Sequence, residues 1–237
     1  ERLAEVPAQV DLVRSNFARA DAVLGDLGLS GVDFLLADLG FASNQLDDPE
    51  RGLSFMTEGP LDMRLDPSLP STAADLVNAT EERALADLLY QLGEERQSRK
   101  IARKIVERRA QSPIVNTEEL VEAIEAAVGS AGRHGRVHPA TRTFMALRIA
   151  VNQELQALER LLEMLPTIIK PEGRAAIISF HSLEDRRVKQ AFRQFKRDGL
   201  GEPVTRKPVT ASAAEAHRNP RSRSAKLRTF HFSSSDN

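Results

Sequence analysis

The distribution of apolar and polar positions along the chain predicts alternating strands and helices. Residues 34–37 (FLLA) form a continuous apolar run between turn residues, which is typical of a strand buried on both faces of a parallel sheet. Residues 174–182 (RAAIISFHS) indicate a second buried strand, and residues 226–232 (KLRTFHF) a last one. Over residues 140–165 apolar side chains recur at three- and four-residue spacing, which predicts one long helix.

The order of these elements predicts an α/β fold with an inserted helical domain. Alternation of strands and helices implies a parallel sheet covered on both faces. The helical block at 49–152 interrupts this alternation, so we interpret it as an insert into a domain formed by 1–48 and 153–237. Residues 199–225 are polar and contain prolines, which is typical of a mobile segment.

Composition narrows the class of protein. The absence of cysteine excludes disulfides, thiolate metal ligands and a cysteine nucleophile, and it is compatible with a cytoplasmic location. No apolar run approaches the length that spans a bilayer, so we expect no membrane association. No metal site is expected either, because the five histidines are scattered and form no H-x-x-x-H pair.

The net charge of −1 hides a gradient along the chain. Residues 1–90 carry 6 basic against 17 acidic side chains, whereas residues 171–228 carry 14 against 6. This asymmetry predicts that the later part of the chain meets a polyanion. Solvated helix faces are the alternative explanation, and the charge pattern alone gives the two equal weight.

Candidate ligand-binding residues follow the predicted strands, because ligands of open α/β sheets gather at the carboxyl ends of strands. Asp38 ends the first buried strand beside Gly40, where its carboxylate can accept hydrogen bonds from an amine or hydroxyl; capping of a helix is the alternative. Phe17 can cover a flat ring or belong to the core. His181 precedes Ser182, which lacks a G-x-S-x-G context and is therefore no activated nucleophile.

Two basic segments are candidates for contact with nucleic acid. In HPATRT (138–143), Arg142 can pair with a phosphate, and His138 can do the same or donate a hydrogen bond. The predicted helix at 94–110 surrounds an apolar stripe with cations, among them Arg96, Lys100 and Arg103.

Five longer segments, in this order, are similar to the RsmH/MraW methyltransferases, and the resemblance runs from Phe17 to Arg228. The segments are DLGFASNQLDDPERGLSFMTEGPLDMRLDP (38–67), GEERQSRKIARKIVERR (93–109), HPATRTFMALRIAVNQEL (138–155), GRAAIISFHSLEDRRVK (173–189) and NPRSRSAKLR (219–228).

The resemblance implies a Rossmann-like S-adenosylmethionine-dependent methyltransferase sheet with a helical substrate-recognition insert. It also implies methyl transfer to the N4 amine of a cytidine in 16S ribosomal RNA of the small subunit. Phe17, Asp38 and Gln45 are expected to contact S-adenosyl-L-methionine, and Asp38 is the candidate catalytic residue. The expected RNA-binding residues are His138, Arg142, His181, Arg96, Lys100 and Arg103.

One departure from the family pattern leaves an alternative open. The glycine-rich segment of these enzymes and the acidic residue on the cofactor ribose are expected upstream of residue 1, so the cofactor loop is absent from the sequence. The alternative is therefore a non-catalytic RNA-binding or ribosome-binding fragment. A methyltransferase acting on protein or DNA fits the fold but not the five segments.

Overall fold

A computed structural model describes residues 8–133 and 138–234, and it divides into two compact units. The sheet unit comprises Glu1–Gly40 and Leu155–Asn237, and the helical unit comprises Phe41–Glu154. The sequence-based assignment of residues 49–152 to a substrate-recognition insert is a statement about function, and it stays a prediction.

The sheet unit contains a mixed five-stranded sheet in the order β1-β2-β5-β3, with β4 paired to β5. Strand β1 runs parallel to β2, and β5 runs antiparallel to β2, β3 and β4. The α/β class is thus confirmed. The strands are β1 Val32–Asp38, β2 Ile169–Ser179, β3 Gly201–Pro203, β4 Val209–Thr210 and β5 Lys226–Phe232. The helices of this part of the chain are α1 Ala20–Asp26, α8 Glu154–Ile168, α9 Ser182–Arg197 and α10 Ala213–Arg218.

The core of the sheet unit is one apolar cluster that joins α8 and α9 to strands β2 and β5. Four phenylalanines form its aromatic part. The rings of Phe230 and Phe232 meet edge to face at 4.9 Å between centroids, and Phe195 meets Phe230 in the same way at 5.6 Å. Phe192 completes the group. Such edge-to-face pairs add about 0.5–1.5 kcal/mol beyond the area they bury, so α9 is held firmly against β5.

The prediction that the FLLA strand is buried on both faces is wrong. Leu35 and Ala37 pack against the apolar cluster, whereas Phe34 and Leu36 are 56% and 58% exposed. Successive side chains of a strand point to opposite faces, and β1 is an edge strand of the sheet. Within residues 8–133 and 138–234, nothing buries the face that carries Phe34 and Leu36.

The helical unit packs its helices around a second apolar cluster. Thr72 begins α3 with a capping box: its hydroxyl accepts from the amide of Asp75, whose carboxylate accepts from the amide of Thr72. Arg109 donates to the carbonyl oxygens of Val77 and Thr80, both at 2.6 Å. These bonds satisfy carbonyl groups at the end of α3, where the helix itself offers no donor. The helices are α2 Ser43–Leu46, α3 Ala73–Ala79, α4 Glu82–Gly93, α5 Ser98–Arg109, α6 Thr117–Arg133 and α7 Ala140–Asn152.

The single long helix predicted at 140–165 is also wrong, because the chain forms α7 and α8 with a break at Gln153. Gln153 has left-handed backbone, with φ 50°. The preceding Asn152 donates its side-chain amide to the carbonyl of Met63 at 2.8 Å and accepts from the amide of Leu65 at 2.7 Å. These bonds to a distant loop end the helix, although the apolar period continues through the break.

Short elements occupy the segment 199–225, for which the composition predicted mobility. They are β3, β4, α10 and a 3-10 helix at Pro220–Ser224. None of the helices in the described part of the chain is both long and apolar enough to cross a membrane.

Candidate functional site

Two of the predicted ligand-binding segments lie side by side, at the carboxyl ends of parallel strands. Asp38 is in register with Ile178, and the amide of Leu39 donates to the carbonyl of Ile178 at 3.1 Å. The chain that leaves β1 therefore runs next to the chain that leaves β2 and continues to His181. Adjacent strands are about 4.8 Å apart, so Asp38 and the residues after Ser179 can address one ligand.

Asp38 presents its carboxylate to solvent. It is exposed, and it makes no hydrogen bond or ion pair within residues 8–133 and 138–234. The alternative that it caps a helix is therefore wrong. Gly40 turns the chain directly afterwards with φ +96°, and a side chain there would meet the ring of Phe180 at 3.7 Å. The positive φ favours glycine at this turn, so the backbone stays accessible beside the carboxylate.

Phe17 opens a 3-10 turn, Phe17–Arg19, in the sheet unit. The side-chain oxygen of Asn16 caps this turn by accepting from the amide of Ala18 at 2.9 Å. The ring of Phe17 is 41% exposed. The alternative of an ordinary core phenylalanine is therefore wrong, and the ring remains available to a flat ligand.

His181 caps the start of α9. The sequence had predicted a different cap, formed by Ser182 with Asp185. Its Nδ1 accepts from the amide of Glu184 at 3.4 Å. Glu184 reaches back and accepts at Oε2 from the amides of Phe180, at 2.9 Å, and His181, at 3.3 Å. The sequence contained both patterns, S-x-x-D and H-x-x-E, and the second one forms because Glu184 is buried against the strand end.

Glu184 is ionised in this arrangement. Burial acts to raise its pKa, but the hydrogen bonds from the His181 side chain and from the amides of Phe180 and His181 outweigh burial, so the pKa lies below its ordinary value of 4.5. The Nε2 of His181 lies 3.3 Å from Oε1 of Glu184. Since Nδ1 of His181 accepts a bond, Nε2 carries the ring hydrogen. Glu184 thereby fixes both the loop after β2 and the orientation of the imidazole.

Asp185 links the same helix to strand β5. It accepts from Nε of Arg228 at 2.7 Å and from Nζ of Lys226 at 3.2 Å. Burial acts to raise the pKa of Asp185, but the bonds from Arg228 and Lys226 lower it below its ordinary value. These two acids were not among the predicted site residues, although the H-x-x-E pattern was a signal for the first.

The other predicted site residues belong to the helical unit. The side-chain oxygen of Gln45 accepts from the amide of Ala42 at 2.9 Å and so caps α2. His138 stacks on Phe55 with the ring centroids 4.7 Å apart, and its Nε2 lies 3.5 Å from Glu125. Arg142, one turn later, is exposed and donates to the carbonyl of Glu94 at 3.4 Å.

The three basic residues predicted on the helix at 94–110 are all exposed. Arg96 lies just before α5, and Lys100 and Arg103 follow at spacings of four and three residues. Arg103 pairs with Glu107 at 3.1 Å. Arg96 and Lys100 have no ion pair in the part of the chain that the structure describes.

Comparison with known proteins decides the class of the molecule. Residues 1–233 match the model of the MraW methylase family. The chain belongs to the MraW methylase family. Family membership makes it a methyltransferase, implies S-adenosylmethionine as the methyl donor, and confirms the predicted Rossmann-like sheet with a helical block between its strands.

Three relatives of the chain carry the name ribosomal RNA small subunit methyltransferase H. The protein from Sorangium cellulosum is 53% identical over 96% of the chain and 71% of its own length. The one from Syntrophobacter fumaroxidans is 47% identical over 96% and 76%. The one from Synechococcus elongatus is 52% identical over 96% and 73%.

Two of the predicted cofactor residues, Phe17 before α1 and Asp38 at the end of β1, carry groups that suit the methyl donor of the family. A free carboxylate suits the amine or the hydroxyls of S-adenosylmethionine, and an exposed phenylalanine suits its adenine ring. Asp38 supplies the first and Phe17 the second, while Gly40 keeps a side chain away from the turn. The assignment of Phe17, Asp38 and Gln45 to the cofactor stays a prediction.

Proposed function

We propose that the protein transfers a methyl group from S-adenosylmethionine to the N4 amine of a cytidine in 16S ribosomal RNA of the small subunit. The names of the relatives support small-subunit ribosomal RNA as the substrate. The observation that supports an amine as the acceptor is the carboxylate of Asp38 at the end of β1, which is exposed and has no partner among the residues that the structure describes. A protein with this substrate works in the cytoplasm.

Asp38 is the proposed catalytic residue because its free carboxylate can orient the amine. The lone pair of a cytosine N4 amine is delocalised into the ring, so the amine attacks well only when it is held in line with the methyl group. Asp38 accepts one N–H bond and aims the lone pair, and it can take up the proton that nitrogen loses. S-adenosylmethionine supplies, when bound, the electrophilic methyl group. Positioning of this kind accounts for a large part of the acceleration of many transfers.

The sequence predicted His181 as an RNA contact, and we propose instead that it is a positioning residue of the sheet unit. Its Nδ1 is occupied by the helix cap, and only 10% of its side chain is exposed. Its role is therefore to hold the loop after β2 in place beside Asp38. Phosphate contacts are better assigned to exposed cations.

Those cations belong to the helical unit. We assign Arg96, Lys100 and Arg103 to the RNA backbone, because all three are exposed and the last two lie three residues apart on α5. Arg142 is exposed and can add a phosphate contact. The ring of His138, stacked on Phe55, offers a platform at the start of α7. A base in folded RNA must leave its stack before a protein ring can contact its face.

Exchange of Asp38 tests this proposal. Asp38→Ala is expected to lower the rate of transfer of labelled methyl groups to small-subunit ribosomal RNA by roughly 10²–10⁴-fold, the usual contribution of a positioned proton acceptor. The matched control is Asp33→Asn at the other end of β1. Asp33 is 84% exposed and pairs with Lys170 at 3.0 Å, so this variant should keep its activity.

Three outcomes separate the possibilities. Loss of transfer in Asp38→Ala with retained RNA affinity supports the proposed role. Wild-type turnover in a folded Asp38→Ala protein contradicts it. RNA binding without any transfer by the unchanged protein would instead identify a non-catalytic RNA-binding protein.

A further inference from the structure

A basic pocket of ≈ 420 Å³ lies in the sheet unit, lined by α9 and by residues of β3, β5 and the chain after β3. Five of its side chains are cations and one is an acid: Lys189, Arg193, Lys196, Arg206, Arg228 and Glu202. None of them belongs to the cofactor and RNA contacts described above. The concave shape matters, because several donors can reach one ligand in a pocket.

The charge in this pocket is not balanced. Lys196 pairs with Glu202 at 2.7 Å, and Arg228 pairs with Asp185 at 2.7 Å. Lys189, Arg193 and Arg206 are exposed and make no ion pair or hydrogen bond within the described residues. Three neighbouring cations without a counter-charge repel one another, and an anion in the pocket removes this repulsion.

The cations are arranged on fixed elements. Lys189 and Arg193 are four residues apart on α9, so they share one face of the helix. Arg228 is only 13% exposed on its side chain and is held by Asp185, which fixes its guanidinium before any ligand arrives. A cation held in place loses little conformational entropy on binding.

The lining favours a phosphate over a nucleobase. The aromatic residue of the pocket, Phe192, is 3% exposed and packs against Phe230, so its ring offers no stacking surface. Among the charged groups that line the pocket, guanidinium and ammonium groups outnumber the one carboxylate. Arginine binds phosphate oxygens with its planar fork, and lysine binds them as a point charge.

We propose that this pocket binds a phosphodiester group of the RNA strand, an inference that rests on the proposed function. In the sheet, Arg228 is in register with Ile177, which is in register with Ala37, the neighbour of Asp38. Two strand spacings of about 4.8 Å separate these positions. Because side chains alternate along a strand, Arg228 lies on the face of the sheet that Ala37 shares and Asp38 does not, so the bound phosphate belongs to a part of the RNA outside the target nucleotide.

The test is the salt dependence of RNA binding by the triple variant K189Q/R193Q/R206Q. Each phosphate contact on a single strand contributes about 0.7 to the slope of log affinity against log salt. The triple variant is expected to bind a fluorescent oligonucleotide from small-subunit ribosomal RNA about tenfold more weakly at moderate salt, with a slope smaller by roughly 0.7, the value for one lost phosphate contact. Its affinity for S-adenosylmethionine, measured by calorimetry, should not change.

The matched control removes the same charge outside the pocket. R14Q/R19Q/R83Q exchanges three exposed arginines that lie elsewhere on the chain. A smaller slope in the pocket variant than in this control supports the proposal, and equal slopes overturn it. Rescue by R193K/R206K, which keeps the charges, would support a phosphate contact over a general loss of structure.

Further outcomes of the binding experiment show which of the two proposals fails. If the unchanged protein binds no RNA, the RNA part of the proposed function fails and the pocket proposal fails with it. If the unchanged protein and the pocket variant bind RNA alike, only the pocket proposal fails. Binding of dilute inorganic phosphate that is lost in the pocket variant, without any competition between phosphate and RNA at constant ionic strength, would assign the pocket to a free anion and overturn an RNA contact.

Discussion

The helical unit and the sheet unit satisfy their polar and apolar groups in different ways. In the helical unit, the partly buried side chains of Arg109 and Asn152 donate to backbone carbonyls, and apolar side chains such as Leu147 are 0% exposed. In the sheet unit, Phe34 and Leu36 stay more than half exposed, and Lys189 and Arg193 of α9 have no ion pair within the residues that the structure describes. The difference teaches that the apolar core of the helical unit is closed by the described residues, whereas one face of β1 in the sheet unit stays open to solvent.

Truncation of a leucine in each unit gives the largest contrast. Leu147→Ala leaves a cavity in the closed core of the helical unit and is expected to lower the free energy of unfolding by about 3–4 kcal/mol. Leu36→Ala, on the exposed face of β1, should cost less than about 1 kcal/mol. Denaturant unfolding of both variants measures the two losses, and equal losses would refute the contrast between the units.

Glu184 gives an effect of intermediate size and a pH signature. Because its pKa is lowered on folding, its charge stabilises the fold above the ordinary value of 4.5, and this contribution is lost as pH falls through the lowered pKa. Glu184→Gln should therefore cost about 2 kcal/mol near neutral pH, where the charged hydrogen bonds are lost. The difference from wild type should shrink in acid.

The measurement is the free energy of unfolding at a series of pH values. Glu163→Gln, an exchange at a side chain that is 70% exposed, is the matched control and should show no such trend. A destabilisation by Glu184→Gln that stays constant down to strongly acidic pH would contradict the account of this carboxylate.

Asp185 gives the smallest of the three effects. Asp185→Asn removes the charge that holds Arg228 and Lys226 on β5, and the expected loss is about 1–2 kcal/mol because the group is partly solvated. Asp33→Asn breaks an exposed pair with Lys170 and should cost well under about 1 kcal/mol. The thermal unfolding midpoints of the two variants measure these losses. An equal shift in both midpoints would show that Asp185 acts as an ordinary surface charge.

The sequence predicts the parts of this fold that local pattern determines. The strands around Leu35 and Ile177 follow from continuous apolar runs, and the class of fold follows from their alternation with helices. The break at Gln153 could not be predicted, because it depends on bonds from Asn152 to a loop almost ninety residues away. The exposure of Phe34 was missed because an apolar run does not tell which face is covered.

The candidate site residues also divide into those that a local pattern predicts and those that depend on contacts between separate segments of the chain. The position of Asp38 at the end of β1 was predictable, since a carboxylate beside a glycine after an apolar run is a local signal, whereas its role at the site stays a prediction. The basic pocket was not, because Lys189, Arg206 and Arg228 come from distant parts of the chain, and strand β3 beside them has only three residues. The excess of positive charge over residues 171–228 was the one signal that pointed to it.

The position of the transferred methyl group tests the central claim most directly. Small-subunit ribosomal RNA is incubated with the protein and isotope-labelled S-adenosylmethionine, then digested to nucleosides and analysed by mass spectrometry. The account predicts label in N4-methylcytidine, and this label should be lost with Asp38→Ala. Label on a ring carbon or on ribose, or no label in RNA at all, would contradict it.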